Sequence, residues 1–486
     1  MRNTNPILYG HRWRSSKAFL ITVGVVSLFS EKFLYGFIVP ILKYMLEDRL
    51  GLVSTRTQKL TTGLLATHGL CSLVGAPVIA HFADKITDRK YLLLSSLVGC
   101  ALGTLLVATT PSLWALFLGR VIQGFSGSAT WISSFAMIMD SMKPERMGQT
   151  LALAMSFVNG GVLAGPAVSG ALYQVAGYWP AWSVPFTLLG LDFFARMVMI
   201  DRRRGLTQPA SSPKLTATPK VQGQGQGIGL LSPQINDHEN AKYSPGQPCG
   251  ERLESADGQK APDTSPDQAK ISSLRLYRVL LVVPRVLVGL VLTLGQSIIF
   301  AAFDTTLPLY LHETFHWGTL PVGMVFLGIQ GPSIILGPLI GGLRDRLGLR
   351  YPTTIGWTLV VPALWLVATP GQHVFPWIPA DSHGEAVTIT SIVVAGFGFL
   401  LVRGAGAFQL IAVTKEIENR TPNLFGPHGA NSRISAMMEV SSNAGMVIGP
   451  LISGGLSEAI GYYYMNCVMS SIAFIIAILS LIYLQG

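Results

Sequence analysis

Charged residues are scarce in this chain. Only 12% of its 486 residues are Asp, Glu, Lys or Arg, whereas 49% are hydrophobic. Soluble globular domains carry about 25% charged residues. The low charge therefore excludes an ordinary soluble protein and favours a protein embedded in a lipid bilayer.

Cysteine and enzyme motifs are scarce as well. Cys71, Cys100 and Cys467 lie in apolar runs and Cys249 lies in a polar central stretch, a spacing that fits neither a disulfide framework nor a zinc site. No His-Glu-x-x-His sequence, paired catalytic Asp motif or nucleophile with a matching base stands out in the apolar runs. The sequence therefore predicts no enzyme, no metal and no cofactor.

What the chain has instead is long apolar runs. A helix of about 20 apolar residues crosses the roughly 30 Å hydrocarbon core of a bilayer. Runs of this kind occur at residues 19–41, 61–82, 91–109, 113–137, 150–174, 181–200, 286–310, 320–342, 353–369, 387–411, 435–456 and 463–484. The sequence therefore predicts an all-α membrane protein with twelve transmembrane helices.

One segment of the sequence occurs twice. Residues 159–178, NGGVLAGPAVSGALYQVAGY, return as NAGMVIGPLISGGLSEAIGY at 443–462, with every residue 284 positions later. Such a repeat indicates duplication, and two halves with a shared plan and a cavity between them are typical of secondary transporters. We therefore expect the twelve helices to form two pseudo-symmetric six-helix bundles.

The net charge is +10, but its distribution indicates a membrane topology rather than a nucleic-acid partner. Lys and Arg concentrate on the cytosolic side of membrane proteins. Here they occupy every second loop, whereas the loops at 110–112, 176–180, 312–319, 370–386 and 457–462 contain neither residue. Only the first outer loop departs from this pattern, with Lys43, Arg49, Arg56 and Lys59. We expect both termini in the cytosol.

The composition changes between residues 201 and 274, which are rich in Pro, Gly, Gln, Ser and Lys and almost free of aromatic residues. A segment of this kind cannot bury a core. We expect a disordered cytosolic linker that acts as a tether or a regulatory target. The predicted domains are a cytosolic N-terminal segment at 1–18, a six-helix bundle at 19–200, the linker at 201–274 and a second six-helix bundle at 275–486.

Two loop sequences, at residues 80–90 and 341–350, place an acidic residue among basic ones at the end of an apolar run. They resemble a loop motif of the major facilitator superfamily, and the resemblance covers the whole chain outside the linker. In that family an Asp at a helix end pairs with Arg in one conformation and parts from it in another. The resemblance implies conformational roles for Asp84, Arg89, Asp345 and Arg346. For the first copy taken alone, the alternative is that its charges only follow the usual excess of Lys and Arg on the cytosolic side.

Two motifs inside the predicted spans carry the same resemblance. The sequence around Arg120, Leu-x-x-x-Arg-x-x-Gln-Gly, resembles an Arg motif that the family associates with proton transfer. A charged Arg in lipid is costly, so Arg120 should face the cavity or a carboxylate. Gly165-Pro166 resembles a motif of the family's antiporters, and its repeat Gly449-Pro450 makes symmetrical helix packing the alternative.

Besides Asp192 in the sixth span, three acidic residues stand inside predicted spans: Glu31 in the first, Asp304 in the seventh and Glu439 in the eleventh. Their positions resemble acidic positions of the twelve-span drug:proton antiporters and vesicular amine transporters, which implies that they carry protons together with Arg120. A carboxyl group that is desolvated in a cavity also binds a proton more readily. The alternative is structural ion pairing, of Glu31 with His68 or a neighbouring Lys, or of Glu439 with Arg403.

Polar and aromatic side chains near these acids are candidates for a substrate cavity. Residues 31, 35 and 39 share one helical stripe, as do residues 296, 300 and 304. The predicted cavity residues are His68, Tyr35, Trp131, Gln296, Phe300, Tyr310 and Arg403, although bulky aromatics also pack or anchor at interfaces. Lys32, directly after Glu31, and Arg403 depart from the pattern of the amine transporters and argue against a simple cationic amine as substrate.

These features predict a proton-coupled exporter of a small organic compound, a drug, toxin or secondary metabolite, that works by alternating access. The fungal multidrug and natural-product exporters are the members that it most resembles. The alternatives are an uptake or vacuolar-loading carrier and a non-transporting membrane sensor. The expected partners are the small-molecule substrate, protons and the lipid bilayer, with no nucleic acid; we expect a monomer, in the plasma membrane rather than a vacuolar or vesicular membrane.

Overall fold

A computed structural model of the chain describes residues 11–14, 16–85, 89–141, 147–199, 280–372, 375, 377–379, 381–420 and 431–484. All of these residues fall in one compact unit. The predicted linker at 201–274 lies outside the described residues.

The described residues are helical almost throughout and include no β-strand. Helices suit apolar segments because every backbone polar group is hydrogen-bonded within the helix. The main helices are α1 (Lys17–Phe37), α2 (Thr57–Lys85), α3 (Arg89–Thr109), α4 (Leu113–Ser141), α5 (Met147–Ala176), α6 (Tyr178–Val198), α7 (Pro284–Phe315), α8 (Thr319–Leu347), α9 (Arg350–Val367), α10 (Ser382–Val402), α11 (Ala405–Arg420), α12 (Asn431–Ile460) and α13 (Tyr462–Tyr483). The all-helical prediction is confirmed.

Within the described residues, eight helical stretches are long and apolar enough to cross a membrane by length and composition. They are Lys17–Arg49, Ser54–Ile79, Lys90–Thr109, Ala154–Ala176, Pro284–Phe315, Thr319–Gly337, Ser382–Arg420 and Tyr462–Tyr483. The count of twelve spans stays a prediction.

Two apolar runs differ in detail from the predicted uninterrupted helices. After α1 the chain continues through a 3₁₀ turn at Val39–Ile41 and a π-helical turn at Met45–Arg49. The predicted run at 387–411 is divided between α10 and α11 at Gly404, whose φ of 75° favours glycine. Hydrophobicity stays high on both sides of this turn, so the periodicity of the sequence does not mark it.

The sequence repeat has a counterpart in the helices. α5 and α12 are both 30 residues long and contain Pro166 and Pro450 at matching positions. Each ends at a glycine with positive φ, Gly177 at 87° and Gly461 at 90°, before the next helix begins. The repeat therefore extends to a helix, a glycine turn and the start of a second helix.

Packing follows the repeat as well. Within the N-terminal segment (residues 17–198) α5 packs on α1, and within the C-terminal segment (residues 284–483) α12 packs on α7. Between the two segments, α5 packs on α8 and α12 packs on α2. Each repeated helix therefore belongs to its own segment and also contacts the other.

The two segments are joined at the end of the molecule that carries Gly177 and Gly461, here called the closed end. Thr319 Oγ1 donates to the carbonyl of Gly170 at 2.9 Å, and Leu320 N donates to Gln174 Oε1 at 2.7 Å. Lys59 Nζ lies 2.7 Å from Glu458 Oε1, which joins α2 to α12. Hydrogen bonds and an ion pair thus hold both inter-segment contacts at this end.

The opposite end differs. On α8, Gly323 lies against the backbone of Pro166. Gly341 lies about five helical turns further along the same face. A Cβ placed on Gly341 would have no described atom within 4 Å. Gly337, close to the same face, is equally open. Among the described residues, the face of α8 that packs on α5 at the closed end is therefore open further along the helix.

Candidate functional site

Lys32 of α1 interacts with charged groups from both segments. Its ammonium is 3.0 Å from Glu31 Oε2 and 4.8 Å from the centroid of the Trp131 ring. It also interacts electrostatically with Glu439 of α12. One cation from α1 therefore faces an aromatic ring of α4 and a carboxylate from each segment.

Glu439 has a different partner from the predicted one. Its Oε1 accepts a hydrogen bond from Asn443 Nδ2 at 3.0 Å, one turn along α12. Arg403 instead lies at the end of α10 and donates to Gln330 Oε1 of α8 at 2.7 Å. The ion pair considered between Glu439 and Arg403 is not formed; the cation near Glu439 is Lys32.

A second group surrounds Tyr35, one turn after Glu31. Its ring lies 5.1 Å from the His68 ring and 5.6 Å from the Arg120 guanidinium carbon. Arg120 is only 1% exposed and donates to Gln123 Oε1 at 3.1 Å and to the carbonyl of Leu64 at 3.4 Å. The guanidinium faces protein rather than lipid, as expected because a charged Arg is energetically costly in lipid.

Asp304 reaches the same region from the C-terminal segment. It lies near Tyr35 and interacts with it electrostatically, although the Tyr35 hydroxyl does not meet the geometry of a hydrogen bond. The three predicted acids and Arg120 therefore converge on two neighbouring groups, one around Lys32 and one around Tyr35.

A small cavity separates the two groups. It is lined by Glu31, Leu34, Tyr35, His68, Cys100, Gln123 and Gly127, and its space for the centre of a water molecule is about 10 Å³. That is about enough for one water. Glu31 therefore contacts the ammonium of Lys32 and also lines this small cavity.

Other predicted cavity residues pack elsewhere. Phe300 lies against Phe399 of α10 with ring centroids 4.5 Å apart. Tyr310 stacks on Tyr462 at 3.9 Å and donates to the carbonyl of Pro370 at 3.3 Å. Gln296 is partly buried on α7. Of the predicted cavity residues, Tyr35, His68 and Trp131 lie beside the acids, whereas Phe300, Tyr310 and Arg403 contact other helices.

The Gly-Pro motifs lie at equivalent contacts within each segment. A Cβ on Gly165 would lie 2.6 Å from the carbonyl oxygen of Phe33, and one on Gly449 would lie 2.7 Å from that of Ile298. Pro166 and Pro450 follow directly within the same helices. Both glycines thus allow a repeated helix to approach α1 or α7 closely.

The loop motifs are described only in part. The side chains of Asp84, Arg89 and Asp345 lie outside the described residues, and Arg346 is exposed. The neighbouring Arg344, which was not predicted as a site residue, donates to the carbonyls of Leu401 and Arg403, both at 2.7 Å. A cation of the second motif thus binds the unpaired carbonyls at the end of α10.

Asp192 of α6 belongs to a separate buried ion pair. Its Oδ2 lies 3.0 Å from Arg196, its Oδ1 accepts from Ser27 at 2.9 Å, and both charged side chains are fully buried. Arg196 also donates to the carbonyl of Leu93. The i, i+4 spacing of these opposite charges is the signal that could have predicted this tie between α1, α3 and α6.

Three of the four cations between residues 43 and 59 have partners as well. Lys43 lies 3.7 Å from Glu47, and Lys59 pairs with Glu458. Arg49 donates to the carbonyl of Thr109 at 2.6 Å and lies over the Tyr178 ring at 4.6 Å. Positive charge in this loop is therefore used in contacts at the closed end.

Known proteins resemble this chain over most of its length. The fungal MFS-type transporter ppzB of Metarhizium rileyi is 26% identical over 98% of this chain and 96% of its own length. A tetracycline resistance protein, class C, of Escherichia coli is 30% identical over 34% of this chain and 41% of its own.

The fold also resembles a solved transporter. A point mutant of the nucleoside transporter NupG superimposes with a TM-score of 0.62, 11% identity and coverage of 96% of this chain and 100% of its own. At that identity the likeness concerns the fold alone. Residues 21–416 match the Major Facilitator Superfamily. Since that match spans most of the chain, the protein is a multi-pass membrane transporter, not an enzyme, and belongs to the Major Facilitator Superfamily.

Proposed function

We propose that this transporter exports a small organic compound in exchange for protons. One observation carries the proposal: Glu31, Asp304 and Glu439, from both segments, lie around Lys32, Tyr35 and Arg120 where the segments meet. Acids at such an interface can bind protons and change the attraction between the segments. The partial similarity to a tetracycline resistance protein supports efflux of an organic compound.

The proposed arrangement is twelve transmembrane helices in two six-helix bundles, with both termini cytosolic and the closed end outside. The inter-segment hydrogen bonds at the closed end and the open glycine face at the other end then correspond to a state open to the cytosol. A substrate would enter from that side. Export requires the closed-end contacts to part and the opposite end to close.

Coupling follows from the charges at the centre. Lys32 lies on α1 and Glu439 on α12, so their attraction acts between the segments. Protonation of Glu439 removes its charge and weakens that attraction, whereas loss of the proton restores it. A proton can shift the balance between two conformations because it interacts differently with each of them. Asp304 beside Tyr35 acts in the same way at the neighbouring group.

Counter-transport in proteoliposomes tests this function. The purified protein is reconstituted, a pH gradient is imposed, and chemically distinct compounds, tetracycline among them, are screened for accumulation against their gradient. Export coupled to protons predicts accumulation that collapses when an ionophore dissipates the pH gradient. Accumulation in the opposite sense identifies an uptake carrier, and exchange that ignores the gradient excludes proton coupling.

A further inference from the structure

The surroundings of Lys32 resemble those that proteins use to bind an organic ammonium ion. An aromatic face within about 6 Å and nearby carboxylates are the recognised elements of such sites. Here the Trp131 ring lies 4.8 Å from the ammonium, Glu31 lies 3.0 Å away, and Glu439 faces it across the segment boundary. The cation in this site is supplied by the chain itself.

We propose that Lys32 is a tethered ammonium which occupies the cation-recognition part of the central site and so restricts the transporter to substrates without a permanent positive charge. The inference rests on the proposed function for its biological meaning, but the position of the ammonium is defined by its contacts with Glu31 and Trp131. A second cation at the same place would meet the first at close range, and like charges repel strongly where water is partly excluded.

The other charged groups near Lys32 also disfavour a second cation at this place. Arg120 lies beside Tyr35, which is about one turn of α1 after Lys32. His68 interacts electrostatically with both Arg120 and Lys32. Two carboxylates, Glu31 and Glu439, face one ammonium, so removal of Lys32 leaves net negative charge beside an aromatic face. The variant lacking Lys32 should therefore bind the class of ligand that the wild-type protein rejects.

Rescue by a free alkylammonium tests this inference directly. Lys32→Ala removes the side chain, and ethylammonium is the probe because it replaces the lost end of the side chain. The melting temperature of purified Lys32→Ala in detergent should rise saturably with ethylammonium chloride, and an equal concentration of sodium chloride should have a much smaller effect. The wild-type protein and Lys32→Arg, which keep the tethered cation, should show no such difference.

Two further variants keep the test decisive. Lys32→Gln replaces Lys32→Ala if the latter does not fold, because it retains hydrogen bonding beside both carboxylates. Lys32→Ala combined with Glu439→Gln should lose most of the ethylammonium effect, since the second carboxylate is neutral. An equal response of the wild-type protein, or no response in either single variant, would overturn the proposal.

A transport measurement separates this inference from the proposed function. In proteoliposomes, Lys32→Gln should gain saturable exchange of a radiolabelled quaternary ammonium ion, by at least about tenfold over wild type, with no pH gradient applied. Because the assay needs no proton coupling, its outcome does not depend on whether export is proton-driven. Exchange by wild type at the rate of the variant would contradict the tethered-cation role.

Discussion

Lys59 and Glu458 join the two segments at the closed end, with Nζ and Oε1 2.7 Å apart. The pair connects the start of α2 to the last turn of α12, and its side chains are 68% and 36% exposed. A pair so close to water contributes only about 0.2–1 kcal/mol. Its importance therefore lies in which conformation it favours rather than in the stability of the fold.

The first prediction follows from that small energy. Lys59→Gln should lower the ratio of closed-end to opened protein by up to about fivefold, since a loss of about 1 kcal/mol corresponds to that change in ratio. Spin labels at the exposed Val53 and Trp377, in a background without native cysteines, would report the distance between segments. The exchanged pair Lys59→Glu with Glu458→Lys should restore the wild-type distribution. High salt should mimic the single variant.

The second prediction compares Gly170 with Gly454, its equivalent in the repeat. A Cβ on Gly170 would meet the main-chain carbonyl of Thr319, whereas one on Gly454 would meet the side chain of Thr62. A side chain can rotate away and a carbonyl cannot. Gly170→Ala should therefore destabilise the closed-end conformation by about 1–3 kcal/mol, and Gly454→Ala by less, as read from the same spin-label distances.

Two controls accompany this comparison. Thr62→Ala should rescue Gly454→Ala and leave Gly170→Ala unchanged. Gly165→Leu and Gly449→Leu act within the segments, against Phe33 and Ile298, so they should lower thermal stability without selectively opening the closed end. Equal losses of thermal stability in Gly165→Leu and Gly449→Leu would favour a symmetrical packing role for the two motifs. A greater loss of proton coupling at Gly165, with normal membrane insertion, favours a specific antiporter role for the motif, and full activity of Gly165→Leu would refute that role.

The third prediction concerns proton coupling. Asp304→Asn or Glu439→Gln should abolish accumulation driven by a pH gradient, because neither variant can release a proton from that position. Substrate exchange without a gradient should survive in at least one of them. Glu416→Gln, which neutralises an acid at the exposed end of α11, is the matched control and should transport normally. Unchanged gradient-driven transport in both site variants would remove these acids from the mechanism.

The fourth prediction separates structural acids from coupling acids. Arg196→Leu leaves Asp192 buried without its cation and should cost about 3–5 kcal/mol in unfolding free energy. Asp192→Leu combined with Arg196→Leu should recover much of that loss, because no charge is then buried alone. Unfolding in a denaturing detergent would measure both values. Equal stability of the single and double variants would show that the ion pair is not what holds α1, α3 and α6 together.

The fifth prediction tests topology. A membrane-impermeant thiol reagent added to intact cells should label Ser382→Cys, which lies at the exposed start of α10, and should miss Ser212→Cys in the linker. Permeabilised cells provide the control, since both positions should then react. The reverse pattern in intact cells would invert the proposed orientation.

The sequence predicted the helices well because the signals for them are local. Long apolar runs indicate helices regardless of what they contact, and the repeat at 159–178 and 443–462 matched two helices of equal length. Local signals can miss a break inside a predominantly apolar stretch. The turn at Gly404 divides such a stretch, and its positive φ depends on how α10 and α11 pack rather than on composition.

The residue types of the candidate site stand out in the sequence, whereas the contacts between them do not. Glu31, Asp304 and Glu439 stand out as acids in apolar runs, and the structure places all three near the segment contact. Their partners depend on how distant helices meet, which a sequence without that geometry does not specify. Lys32 next to Glu439 and Arg403 next to Gln330 are two such cases.

The closed end has a consequence for how this protein tolerates mutation. Thr319 donates to the carbonyl of Gly170, and Gln58 donates to the carbonyl of Thr305 at 3.4 Å. These acceptors belong to the main chain, so no substitution at the accepting position deletes the oxygen itself. Inheritance of these two hydrogen bonds therefore depends on the donor side chains of Thr319 and Gln58 and on the small size of Gly170, whereas the residue types at the two accepting positions do not supply the acceptor oxygens.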